Sequence, residues 1–309
     1  MDVVRLCVIG CGRAGMVHAR NLSGRVPHAE LVAVCDSVKD VAIRAAKELN
    51  IKKYYTDYRE VMNDNEIDAV IIASPTKYHK EICVTAAKSK KHIFCEKPLA
   101  MNVKECEEII QACEENNVKL QVGFMRRFMK DFIKAKEILD SGEIGDIVLV
   151  KSLTRGPSKP KEWMMDIKKS NGLLAEVNSH DIDTVRWLTG SDIKTVFALG
   201  GNYRNVEFKE KYPDFYDNVV MIFELENGAQ GVIDGAMYVQ YGYDARVEIL
   251  GTKGVIFVGQ NNDTSVVACT KTHGVKRPLM SSWMVLFEDA YYEEDKSFVQ
   301  SILNDDPPL

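Results

Sequence analysis

Val3-Val4-Arg5-Leu6-Cys7-Val8-Ile9-Gly10-Cys11-Gly12-Arg13-Ala14-Gly15 stands at the head of the chain, and its reading decides the fold of the first hundred or so residues. An apolar run of strand length ends in glycines spaced G-x-G-x-x-G, and helix formers continue through Ala19, Arg20 and Leu22. The order is strand, tight turn, helix. Gly10 permits the turn, Gly12 lets backbone N–H groups approach a pyrophosphate, and Gly15 lets the helix pack closely on the strand. A second apolar run, Leu31-Val32-Ala33-Val34-Cys35, ends at Asp36. That is about 20 residues beyond the last glycine, where a dinucleotide-binding unit keeps its ribose-binding carboxylate. Asp36 accepts from both ribose hydroxyls and repels a 2′-phosphate, which favours NAD over NADP. Arg13 keeps NADP open, because its guanidinium suits a 2′-phosphate as well as the pyrophosphate.

Further apolar runs at 69–73, 92–95 and 120–122 alternate with helical patterns at 38–49, 79–88 and 103–116. Strands that are apolar almost throughout are covered on both faces, so the expected class is α/β: a doubly wound, parallel Rossmann sheet over residues 1–123. From 124 the pattern changes to a helix at 128–139, a strand at 146–154 and a helix at 174–189. Strands at 195–201, 216–226, 229–237, 244–251 and 254–258 come next, with Asn227-Gly228 and Thr252-Lys253-Gly254 as turns. This predicts an α+β domain over 124–309 with a large, mainly antiparallel open sheet, ending in a helix at 286–303. Asp305-Asp306-Pro307-Pro308-Leu309 has the composition of a loop that leads onward, so a truncated C-terminus is expected.

The 309 residues are 46% hydrophobic and 28% charged with only 9 prolines, enough for two cores and unlike a disordered chain. A formal charge of -5 argues against a nucleic-acid partner, since phosphate backbones require basic patches. No stretch approaches the roughly 18 apolar residues of a membrane span. No leader-like segment precedes the first strand, and the expected location is the cytoplasm. Eight cysteines form no C-x-x-C pair, so they read as reduced, buried thiols and no metal site is expected.

Ser74, Pro75 and Thr76 come directly after the strand at 69–73, at the end of the sheet where open α/β folds bind ligands, and are expected to touch the cofactor. In the second half Glu176, His180, Asp183 and Trp187 fall at i, i+4, i+7 and i+11, one helical stripe. Leu174, Val177, Val185 and Leu188 share another stripe that suits the core. Oxidation of an alcohol carbon requires a group to take the hydroxyl proton, and histidine titrates near neutrality. Trp163, in the loop 155–163, offers an indole face to the C–H side of a sugar and is a substrate-binding candidate.

Taken together, the glycine motif, Glu96-Lys97-Pro98 and the segment from Gly172 to Asp183 resemble the Gfo/Idh/MocA oxidoreductase family over nearly the whole chain. The resemblance implies a Rossmann domain and an α+β domain whose open sheet forms an oligomer interface, hence a homodimer or homotetramer. It implies NAD-dependent oxidation of a secondary hydroxyl of an inositol, polyol or sugar. By the same resemblance Lys97 and His180 handle the proton, with Glu176 beside them; Glu96 and Lys97 also lie near the cofactor. Lys97, Arg127, Trp163 and Asp183 are then the substrate-binding residues, and the Lys97–Pro98 bond is cis. Glu176 stands where inositol dehydrogenases carry aspartate, and Ser170-Asn171-Gly172 where a double glycine is common, so the substrate stays open. Two other readings are an NAD-dependent glycosidase of the same family and a non-catalytic NAD-binding sugar sensor.

Overall fold

A computed structural model describes residues 2–309, which divide into two units: the residues up to Met125 together with Asp289–Leu309, and Arg126–Glu288. The first unit runs β1 (Val4–Ile9), α1 (Arg13–Leu22), β2 (Ala29–Cys35), α2 (Lys39–Glu48), β3 (Lys53–Tyr55) and α3 (Tyr58–Asn63). It continues with β4 (Ala69–Ile72), α4 (His79–Lys88), β5 (His92–Glu96), α5 (Val103–Asn116) and β6 (Leu120–Gly123). All six strands pair in parallel in the order β3-β2-β1-β4-β5-β6. Apolar strands demand this arrangement: β4 is buried along its whole length, and helices shield both faces. The order reverses between β1 and β4, so the loops after these two strands flank the switch point. Of these elements only β3 and α3 leave no clear apolar run, being short and partly exposed.

Local chemistry sets the helix ends. The Asn102 side chain accepts from the Glu105 N–H (3.0 Å) at the start of α5, and Asn117 closes that helix in the left-handed region at φ +54°.

The second unit runs α6 (Lys130–Asp140), β7 (Ile147–Gly156), α7 (Glu162–Met165), α8 (Ile167–Ser170), α9 (Gly172–Glu176) and α10 (Ser179–Thr189). Then come β8 (Ile193–Gly201), β9 (Asn218–Leu225), β10 (Gln230–Met237), β11 (Asp244–Gly251), β12 (Val255–Val258), a small hairpin of β13 (Ala268–Thr270) and β14 (Gly274–Lys276), and α11 (Trp283–Leu286). The main sheet has the order β12-β11-β7-β10-β9-β8 and is antiparallel except for the β10–β7 pair. Its strands alternate, as a sheet covered on one face must: Val219, Met221, Phe223 and Leu225 of β9 are buried while Val220 and Ile222 are exposed.

The final helix, α12 (Glu288–Asn304), departs from the expectation of a second domain running unbroken from 124 to 309. From Asp289 onward the chain belongs to the Rossmann unit, where Phe298 and Val299 are fully buried among Leu6, Val8, Leu22 and Phe94. An amphipathic pattern records that a helix has an apolar face, not which core receives it. Truncating Phe298→Ala is expected to cost about 3–5 kcal/mol, the usual range for removing a buried phenylalanine. Chemical denaturation checks this, and a loss under about 1 kcal/mol would contradict the burial of α12 in this core.

Candidate functional site

In the first unit the glycine turn folds as its spacing requires. Gly10 has φ +97°, and a Cβ there would lie 2.7 Å from the Ala73 carbonyl carbon and oxygen. The turn after β1 therefore rests directly on the loop after β4. At Gly15 a Cβ would come within 1.8 Å of the Gly10 carbonyl oxygen, so helix and turn touch through bare backbone. Gly12 differs: a Cβ there meets nothing within 4 Å. It caps α1 with no side-chain hydrogen bond, and the first turn contains no acidic residue, which leaves the positive end of the helix facing that space.

Asp36, just past the end of β2, ties the neighbouring loops together. Its Oδ2 accepts from the Cys11 N–H and its Oδ1 from the Val38 N–H, each at 2.9 Å. Cys11 is buried beside it; burial first, and then the Asp36 charge, push its thiol up to about 12, which makes it a poor nucleophile. All eight cysteines are free thiols, with Cys106 half-buried and Cys269 exposed, unlike the other six.

After β4, Thr76 is buried, Pro75 is exposed, and the Ser74 hydroxyl is buried without a hydrogen-bond partner. After β5, Glu96 is buried and Lys97 half-buried, and the Lys97–Pro98 bond is cis. His79 joins these two loops. One ring nitrogen lies 2.8 Å from the Ser74 carbonyl oxygen and the other 2.8 Å from that of Pro98. Burial pushes its pKa below the usual imidazole value, with the hydrogen bonds to the two carbonyls opposing. Open space over Gly12 and an unsatisfied Ser74 hydroxyl fit a dinucleotide along Gly10–Gly15, Asp36 and Ser74–Thr76.

The second unit breaks one sequence expectation. The helix read at 174–189 is two helices, α9 and α10, with Val177 and Asn178 between them. Glu176 therefore lies on a separate turn, and only His180, Asp183 and Trp187 share a continuous helical stripe. The break has a visible cause in Asn178. It is fully buried, its Oδ1 sits where a Cβ on Gly235 of β10 would need to be, and its Nδ2 donates to Asp181 at 2.8 Å.

Asp181 is the hub of this region. Its carboxylate accepts from Arg126 (3.0 Å), Ser152 (2.5 Å), Thr154 (2.7 Å) and Asn178, all buried. Arg126 also donates to the Thr154 hydroxyl (2.5 Å) and lies against the rings of Phe132 and Phe287. This desolvated pair, with the Asp181 carboxylate accepting four hydrogen bonds, holds the first turn of α10, which carries His180, itself 7% exposed. The Asp183 carboxylate is gripped in two-pronged fashion by Arg127, at 3.0 and 2.5 Å. The sequence marks both as substrate ligands; the structure shows them bonded to each other. Trp163 is half-buried on the one-turn helix α7.

Residues 4–124 match the model of an oxidoreductase family with an NAD-binding Rossmann fold, and residues 132–257 match the GFO/IDH/MocA C-terminal domain. The chain is 37% identical over 306 residues to the scyllo-inositol 2-dehydrogenase (NAD(+)) of Bacillus subtilis, spanning 99% of this chain and 88% of that protein. The chain belongs to the Gfo/Idh/MocA oxidoreductase family. It is also 35% identical over 306 residues to the myo-inositol 2-dehydrogenase of Thermotoga maritima, covering 99% of this chain and 90% of that protein. Among solved structures it resembles scyllo-inositol dehydrogenase from Lactobacillus casei with bound NAD(H) and scyllo-inositol, with a TM-score of 0.89, 29% identity, and coverage of 99% and 90%. As a Gfo/Idh/MocA chain it carries features that no sequence motif singles out, among them His18, Arg126, Asn178 and Asp295. A histidine three residues past Gly15, on the helix that must pack against the sheet, is the one signal for His18. Asp295 lies in an acidic stretch that reads as solvated surface.

The two glycines give opposite outcomes on substitution. Gly12→Ala is expected to melt like the wild type and to bind NAD far more weakly. Gly15→Ala is expected to lose about 1–3 kcal/mol of stability through overpacking. Calorimetry and cofactor titration separate them, and normal NAD affinity in Gly12→Ala would move the pyrophosphate elsewhere.

Proposed function

We propose that the protein is an NAD-dependent dehydrogenase that oxidises a secondary hydroxyl of an inositol or closely related polyol. The observation that carries this reading is the meeting of the Ser74–Thr76 loop with the Glu96–Lys97–Pro98 turn across His79, at the carboxyl ends of adjacent strands. It sets the lysine turn beside Ser74–Thr76, which supports the reading of these residues as one cofactor-side wall. The names of its relatives, inositol 2-dehydrogenases at similar length, supply the substrate class.

A dinucleotide held along Gly10–Gly15, Asp36 and Ser74–Thr76 would supply the hydride acceptor for the carbinol carbon. The chain's own residues manage the rest: His180 takes the hydroxyl proton as the C–O bond becomes a carbonyl, and Lys97 hydrogen-bonds the same oxygen. Glu176 orients the histidine, and Asp183, held by Arg127, presents acceptors to ring hydroxyls, with Trp163 against the ring's C–H face. NAD is preferred over NADP because Asp36 presents a carboxylate where a 2′-phosphate would stand. Among the described residues no helix is long and apolar enough to cross a membrane.

A homo-oligomer is part of the same reading. The uncovered face of the large sheet presents Phe197, Leu199, Val220, Ile222 and Phe257, with Leu199 66% and Phe257 72% exposed. Phe197 pairs with Ile222 and Leu199 with Val220, while Phe257 stands at the opposite edge of the sheet; exposed apolar side chains on this face call for a covering surface, and a second copy offers the same face.

NADH formation, followed by absorbance with NAD or NADP against inositols, sugars and sugar acids, is expected with NAD and an inositol. Lys97→Met is expected to lower turnover at least about a hundredfold with NAD affinity unchanged. Sugar release from a glycoside without net NADH, or wild-type turnover in Lys97→Met, would overturn the assignment. In sedimentation velocity the wild type is expected to run as a dimer or tetramer and Phe197→Asp as a smaller species; a monomeric wild type would refute the interface.

A further inference from the structure

Beneath Lys97 lies a chain of charged groups that the proposed proton chemistry does not use. His18, on α1, is completely buried. Its Nδ1 lies 2.6 Å from Asp295 Oδ1 on α12 and its Nε2 3.2 Å from Glu96 Oε1 at the end of β5. Carboxylate oxygens accept, so a ring placed between two of them donates through both nitrogens, which only the imidazolium can do. The remaining oxygens are also used. Asp295 Oδ2 accepts from Asn21 Nδ2 (2.8 Å), and Glu96 Oε2 accepts from the backbone N–H of Lys97 (3.0 Å). The rings of Phe94 (4.9 Å) and Tyr291 (5.4 Å) wall the imidazole. The titratable groups facing His18 are thus Asp295 and Tyr291 from α12 and Glu96 from β5.

We propose that Asp295, acting through His18 and Glu96, is a positioning residue for Lys97, so that the last helix of the chain sets the orientation of the lysine turn. The proposal rests on the reading of Lys97 as the group that hydrogen-bonds the reacting oxygen. Without a charge at 295 the imidazole loses a proton, and it then donates to only one of its two neighbours. The hydrogen bond that holds Glu96 then lacks the charge of the imidazolium, and the acceptor for the Lys97 N–H is held less firmly. Titration agrees with the geometry. Burial lowers the His18 pKa, but Asp295 and then Glu96 outweigh it and leave the ring well above the ordinary imidazole value of 6.5. Burial raises the Glu96 pKa, but His18 and Lys97 outweigh it and leave the carboxyl below its ordinary 4.5. The contribution of His18 to stability is full below 6.5 and is lost as pH rises through its raised value, whereas that of Glu96 is lost as pH falls through its lowered one. The relay is therefore intact across the neutral range.

Asp295→Asn keeps the shape and the Asn21 contact while removing the charge. In the full-length enzyme it is expected to lower kcat about tenfold or more, the effect of a misplaced reacting group, and to displace the pH profile of kcat/KM. NAD affinity, titrated by fluorescence, is expected to be unchanged. Nitrogen-15 spectra of the imidazoles, recorded at pH 7 without cofactor, are expected to show His18 doubly protonated in the wild type and singly protonated in the variant. Glu96→Gln, which retains an acceptor for the Lys97 N–H, supplies the same kinetic comparison should Asp295→Asn not fold. A neutral His18 in the wild type at pH 7 would overturn the relay. So would wild-type kcat and pH profile in a folded Asp295→Asn or Glu96→Gln enzyme whose Lys97→Met counterpart is inactive. Wild-type turnover in Lys97→Met would instead remove the reading of Lys97 itself, and the positioning role with it.

Discussion

A protonated histidine between two carboxylates joins three parts of the chain that are far apart in sequence. His18 belongs to the helix that begins at the glycine turn, Glu96 to the turn that carries Lys97, and Asp295 to the last helix. Desolvating three charges is tolerable only when each has its partners, and here every carboxylate oxygen is bonded, to the ring, to the Asn21 amide or to the Lys97 N–H. Such an arrangement admits little displacement of any member. The apolar packing of Phe298 and Val299 holds α12 on the Rossmann core, and the polar contacts of Asp295 fix where along that core it lies.

Legibility in the sequence depends on how each feature is encoded. The Rossmann sheet is readable because buried parallel strands are apolar throughout and because glycines mark contacts between backbones. Gly10 and Gly15 occupy places where a Cβ would collide, and their spacing alone announces that. The antiparallel sheet is readable from alternation and from turn dipeptides. Loss of legibility begins where a structure depends on partners distant in the chain. The destination of α12 is of this kind, since its stripe of apolar residues would suit any core.

The same limit applies to the site. Lys97 and His180 stand in recognisable motifs beside Glu96 and Asp181, whereas His18, Asp295 and Arg126, which hold those two carboxylates, lie outside them. Helical spacing places Glu176 with His180 on one stripe, but the helix is interrupted at Val177 and Asn178, where the Asn178 side chain reaches the sheet against Gly235 and bonds Asp181. Period alone cannot reveal a helix break that is caused by a side chain bonding elsewhere. Likewise Arg127 and Asp183 are each legible as charged site residues, but their mutual pairing is a property of three-dimensional packing.

The two units solve one problem in the same way. Each fixes its proposed proton-handling residue through an adjacent residue whose charge is buried: Glu96 precedes Lys97, and Asp181 comes after His180. Neither residue gains much stability from this, since a buried ion pair offsets its own desolvation only when fully bonded, and an apolar replacement often serves stability as well. What the arrangement supplies is direction. Alternate side chains on a strand or helix point apart, so anchoring one residue by several hydrogen bonds constrains its neighbour to a narrow range of orientations without crowding it. Asp181 accepts from four side chains and Glu96 from a ring and a backbone amide, each enough to fix a carboxylate in rotation as well as position. The reactive side chain can then be left room to exchange a proton while its base stays immobile, which is the condition under which a small misplacement stops being the dominant loss in rate.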